Sequence, residues 1–151
     1  TYAVSTGSGD PYGSIASGSP NNGAIINAGS GSTSMRDLTD GSSTTLLAGE
    51  SAWNFPDYPF TSGPCSGQVR WGFSYWSSPY PLATAFTTLG PFNPKKRAGD
   101  SNRLANFRSE HVGVVNMLMG DGSARYISEN IDHGLLNALA TRSGGEVVGD
   151  F

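Results

Sequence analysis

His111 and Asp121 frame the stretch HVGVVNMLMGDGSARYIS, and a glycine, Gly122, directly follows the aspartate. Imidazole and carboxylate are a common pair in general acid–base chemistry and in metal ligation. For either task the two groups must come within bonding reach, and the residues between them decide whether they can. VGVVNMLM is an apolar run of strand type, GDG is a turn, and SARYIS reads as the returning strand. An extended chain rises about 3.3 Å per residue, so this strand holds the two groups on the order of 30 Å apart. They cannot form a dyad within one chain. Structural roles follow: Asp121 and Gly122 form the centre of a two-residue hairpin turn, with Met119 opposite Ala124 and Met117 opposite Tyr126. That register sets His111 opposite Asp132, and a three-residue turn would set it opposite Ile131. Either way the histidine braces the far end of the hairpin against the start of the last helix, through the Asp132 carboxylate or nearby backbone.

The remaining candidates for chemistry are sparse. Serines are plentiful, but Gly7-Ser8-Gly9 and Gly29-Ser30-Gly31 lack the strand–turn–helix setting of a nucleophile elbow. His111 and His133 are the two histidines, and no nucleophile–base–orienter set can be placed, so the expectation is a protein without enzymatic activity. His133 falls in the first turn of a helix, where a cation is disfavoured, and reads as a neutral surface residue. Asp121, Glu129 and Asp132 are weak calcium candidates. They are scattered, follow no EF-hand pattern, and are each explained by a turn or cap, so no cofactor or metal is expected. A second Asp-Gly pair, Asp40-Gly41, also precedes a strand and repeats the same turn chemistry. The lone Cys65 lies in TSGPCSGQ, a loop-like setting without a disulfide partner. Trp53, Tyr58, Trp71, Tyr75, Trp76 and Tyr80 would supply stacking faces for a sugar. Within RWGFSYW, however, alternation puts Trp71, Phe73 and Tyr75 on one side, and core packing is the commoner fate of such a stripe.

These residues need a scaffold. Tyr2-Ala3-Val4 reads as a short strand at the start of a long Gly/Ser/Asn-rich loop, residues 1–34, which also holds the apolar island Ala24-Ile25-Ile26. A strand is expected over Thr44 to Ala48, ending near Gly49-Glu50. Residues 81–106 read as irregular, with a basic tip at Lys95-Lys96-Arg97. The stretch IDHGLLNALATRSGG predicts a helix with Asp132 as N-cap. Leu135, Leu136 and Leu139 form its apolar face, Arg142 sits in the last turn, and Gly144 is the C-cap. The tail EVVGDF either adds a short strand or docks on the surface.

The 151 residues suit a single domain. With 36% hydrophobic and 14% charged residues, the chain is not of the charge-rich disordered type. Its 21 glycines and 9 prolines imply many turns. A net charge of −3 leaves no electropositive footprint for nucleic acid. No signal peptide or membrane span is visible. The opening TYAVSTGSGDPYG lacks an initiator Met and reads as the middle of a longer protein.

His-x9-Asp-Gly is also a family signature. In RDLTDGSSTTLLAGE (36–50), FRSEHVGVVNMLMGDGSARYISENID (107–132) and LLNALATRSGGEVVGDF (135–151), the chain resembles the pilin-like proteins of otherwise unknown function abundant in planctomycete bacteria. The resemblance implies an α+β fold: an antiparallel head domain of pseudopilin type, with long Gly/Ser-rich loops and a short C-terminal helix. It implies a secreted or cell-surface structural subunit that self-associates or joins other pilin-like subunits in a pilus-like or type II secretion-like assembly. Such proteins normally start with a prepilin signal and a long hydrophobic helix, neither of which this sequence contains. Some related pseudopilins bind calcium in a C-terminal loop. A small residue or Pro-Gly usually follows the signature histidine, whereas Val112-Gly113-Val114 follows it here. The alternative is a module that binds carbohydrate or cell-surface glycans through Trp53, Trp71, Tyr75 and Trp76.

Overall fold

The computed structural model describes residues 1–10, 21–26, 31–52, 54–70, 81–149 and 151. Five strands form one sheet: β1 Tyr2–Ser5, β2 Leu46–Glu50, β3 Ala85–Phe86, β4 Val114–Met119 and β5 Ala124–Ser128, in the order β3-β1-β2-β4-β5. Two helices, α1 Pro81–Thr84 and α2 His133–Ala140, and three short 3₁₀ turns complete the described elements. The fold is therefore mixed α+β with a short C-terminal helix. The sheet is not purely antiparallel, as had been expected: β1 pairs antiparallel with β2 but parallel with β3. A parallel neighbour requires a long crossover, and the chain from Glu50 to Ala85 supplies it.

The strands alternate as their sequences dictate. In β4, Val115, Met117 and Met119 are buried and Leu118 points out; in β5, Ile127 is buried and Tyr126 is exposed. The buried face joins Leu46, Phe86, Phe107, Leu136 and Leu139 in a single core, each such side chain contributing about 1.5–3 kcal/mol by leaving water. Phe86 and Phe107 meet edge to face at 5.5 Å. Gly49 lies on the inner face of β2, where a Cβ would collide with the Met117 sulfur and the Phe107 ring.

The hairpin exists, but its register is one residue from the expected one. Asn116 faces Tyr126, Met117 faces Arg125 and Leu118 faces Ala124. The reason is a three-residue loop, Gly120-Asp121-Gly122, closed by Met119 N–H to Ser123 O (2.9 Å) and Gly122 N–H to Met119 O (3.0 Å). Gly122 alone in this loop takes positive φ, at 86°. One step of register moves every side chain to the other face, which is why Tyr126 sits outside beside Asn116 rather than across from the core residue Met117.

Three further boundaries differ from expectation. The strand expected from Thr44 begins at Leu46, because the Thr44 and Thr45 hydroxyls donate back to the Asp40 and Gly41 carbonyls and hold Ser42–Thr44 in a 3₁₀ turn. Residues 81–106 are not simply irregular but hold α1, β3 and a 3₁₀ turn at Ser101–Ala105. Finally, α2 ends at Ala140 with Thr141 as C-cap, so Arg142 and Gly144 lie beyond it. The chain is drawn off the helix axis because Asp40 accepts from the Gly144 and Gly145 amides (2.6 and 2.9 Å). The expected N-cap does hold, with Asp132 accepting from Leu135 N–H at 2.9 Å. The tail docks through Val148 and Phe151 against the core, with the Arg125 guanidinium 4.7 Å from the Phe151 ring. Among the described residues, no helix is long and apolar enough to cross a membrane.

Candidate functional site

His111 and the Asp121-Gly122 pair fall at opposite ends of the β4–β5 hairpin. β4 alone spans six residues, about 20 Å of extended chain. At the tip, Asp121 accepts from both the amide (2.8 Å) and the hydroxyl (2.6 Å) of Ser123, and these bonds hold its carboxyl below the usual range. The tip is anchored by Gly120 N–H to Thr45 O (2.8 Å) and Asp121 N–H to Ser42 O (3.0 Å), so the Asp40-Gly41 turn and the hairpin turn support one another.

At the other end, the chain leaves the buried segment 104–109 and enters β4 through His111, Val112 and Gly113. The His111 ring is not at Asp132, as expected, but faces Glu50, with Nε2 3.4 Å from Oε1. The cause is that β4 begins only at Val114, and the chain before it turns towards the end of β2. Glu50 also accepts from Asn116 N–H at 2.8 Å. Burial pushes the Glu50 carboxyl up, but hydrogen bonds from Ser109 and Asn116, together with the field of His111, outweigh it and leave the group below its ordinary value. The Ser109 hydroxyl is fully buried and accepts from His111 N–H (3.1 Å). Serine and imidazole thus both turn to the same carboxylate, whereas nucleophilic catalysis needs the serine hydroxyl bonded to the imidazole. The arrangement locks three chain segments together through the one Glu50 carboxylate.

The lock extends outward through Asn93, which is buried in the left-handed region at φ 51°. Its Oδ1 accepts from Ser109 N–H (2.9 Å) and Lys95 Nζ (3.2 Å), and its Nδ2 donates to Glu129 (2.8 Å). The basic run is therefore partly docked: Arg97 and Ala98 amides bond the Asp57 carboxylate (2.8 and 2.7 Å), and the Arg97 guanidinium lies 4.5 Å from the Tyr58 ring.

Beneath this cluster sits Arg108, which sequence reasoning missed because arginine is almost never fully buried. Its side chain is 0% exposed. The guanidinium lies 4.7 Å from the Phe55 ring and 5.1 Å from the Phe86 ring, and Nη1 donates to Leu104 O (3.1 Å) and Asn106 O (3.0 Å). Burial pushes it down to about 9, so it stays charged at neutral pH. Its backbone ties β2 to this segment through Arg108 N–H to Glu50 O and Ala52 N–H to Arg108 O (both 3.0 Å). The one hint in the sequence was its position in FRSEH, directly after a core phenylalanine.

The weak calcium candidates do not converge. Asp121 is at the hairpin tip, while Glu129 and Asp132 lie at the other end, on Asn93 and on the α2 cap. Among the described residues no group of three or more His, Cys, Asp or Glu side chains is placed to hold a metal ion. Cys65 is a half-buried free thiol in the loop between the Pro59 and Val69 bridge partners. His133 is exposed at the start of α2. Of the aromatic platform, Trp53, Trp71, Tyr75, Trp76 and Tyr80 lie outside the described residues, as does the RWGFSYW strand beyond Arg70. Tyr58 is described, and its ring is approached by two guanidiniums, Arg70 and Arg97, each at 4.5 Å.

The chain belongs to the SBP_bac_10 family, described as a protein of unknown function (DUF1559), whose profile matches residues 1–134. No curated protein and no solved structure matches it.

Proposed function

We propose that the chain is a non-enzymatic structural subunit, the head domain of an extracellular pilus-like or pseudopilus-like assembly at the cell surface. One observation carries this reading: the signature residues His111, Asp121 and Gly122 are spent on building a hairpin and fixing its two ends. A family signature devoted to folding suits a building block better than a catalyst. The outer face of the sheet supports the same reading, because Tyr2, Leu118 and Tyr126 are exposed on it. Assembly would be with further copies or with other pilin-like subunits. The glycan-binding alternative loses Tyr58 as a free stacking face, since two arginines occupy its surroundings.

Size-exclusion chromatography and electron microscopy of native material test the proposal. Incorporation into a fibre or envelope assembly is the expected result. A protein that stays strictly monomeric in its native setting overturns it.

A further inference from the structure

A cleft of about 440 Å³ opens between Ile26, the 32–39 segment and the chain just after α2, on residues that the hairpin and its brace do not use. Two guanidiniums line it, Arg36 and Arg142, together with the Asp37 carboxylate and the hydroxyls of Ser32, Thr39 and Ser143. The two arginines differ in their freedom. Arg142 is anchored from behind, its Nη1 donating to the Asn21 and Gly23 carbonyls. Arg36 is exposed. Asp37 is held in place by the amide (2.7 Å) and hydroxyl (2.8 Å) of Ser34, which hold its carboxyl below the usual carboxylate range. The neighbouring acids Asp40 and Glu146 do not line the cleft: Asp40 holds the Gly144 and Gly145 amides, and Glu146 accepts from the Thr141 hydroxyl.

From this we propose that the cleft binds a small carboxylate whose remaining surface carries hydroxyl groups, the chemistry of a sugar acid. The guanidinium geometry points to the class: Arg36 and Arg142 both line the cleft, and the three acids on or beside it, Asp37, Asp40 and Glu146, disfavour a ligand of high negative charge. A planar guanidinium fork matches a carboxylate in two parallel hydrogen bonds. The hydroxyls and the acceptor Asp37 match the donors and acceptors of a polyol. The site stands whether or not the chain assembles, and it uses none of the aromatic residues considered for stacking.

The test is titration of the isotope-labelled protein with glucuronate, glucose, acetate and inorganic phosphate, followed by amide NMR shifts. Saturable glucuronate binding is expected, with shifts confined to residues 32–39 and 142–143 and tighter than for the other three probes. Arg36→Gln should weaken glucuronate binding about tenfold or more, as for loss of a charged hydrogen-bonded partner, and leave the spectrum elsewhere unchanged. Arg36→Lys, which keeps the charge without the fork, should fall between. Failure of glucuronate to saturate, equal binding of glucose, tighter binding of phosphate, or indifference to Arg36→Gln would each overturn the assignment.

Discussion

Arg108 shows how one residue can be both costly and indispensable. A guanidinium removed from water is stabilised here by two aromatic faces and two backbone carbonyls. Truncation removes the stacking and leaves those carbonyls without their donor. Arg108→Ala is expected to lower stability by about 2–4 kcal/mol in urea denaturation, within the range for emptying a large buried site and breaking its hydrogen bonds. An effect below about 1 kcal/mol would mean that the stack contributes little. Glu50 makes the second prediction at this scale, and its sign follows from the lowered carboxyl. A group whose folded value lies below its unfolded value, ordinarily 4.5, adds stability above that value. The contribution is lost as pH falls through the depressed folded value. Urea midpoints measured from pH 7 down to pH 2 should therefore fall on the acid side of 4.5, and Glu50→Gln should flatten that part of the curve. An identical acid slope in the variant would show that other carboxyls carry it.

At the scale of elements, the parts legible in the sequence were those whose determinants sit side by side in the chain. The GDG turn, its flanking apolar runs and the Asp132 cap all belong to this kind. What escaped depended on distant partners or on a single residue of loop length. The register hinged on Gly120 joining the turn, and the end of α2 on Asp40, more than a hundred positions away. The His111 partner hinged on how β2 lies against β4. Two substitutions test the local determinants. Gly122→Ala must place a side chain at φ 86° and should cost about 1–2 kcal/mol, seen as a lower urea midpoint. Asp132→Ala removes the acceptor for Leu135 N–H and should cost about 1 kcal/mol, with faster amide exchange in the first turn of α2. If exchange in that turn is unchanged, the cap is not what holds it.

At the scale of the whole molecule, the sheet packs its inner face on Leu136, Leu139 and Phe107 and leaves Tyr126 75% exposed on the other. A charge there should be nearly neutral for folding, within about 0.5 kcal/mol. If the outer face joins neighbouring subunits, Tyr126→Glu should abolish incorporation into fibres while the thermal midpoint of the isolated domain stays the same. Normal incorporation of that variant would exclude this face from the assembly contacts.

The parallel pairing of β1 with β3 carries a kinetic consequence. β1 is an interior strand made by residues near position 2, yet one of its two neighbours is made by residues near position 85. During synthesis β1 therefore waits for about eighty further residues to emerge before its second side is covered. Long-range closure of this kind carries its entropy loss before any contact repays it. The domain should thus refold slowly for its size, with the β4–β5 ribbon protected early and the amides of β1 last.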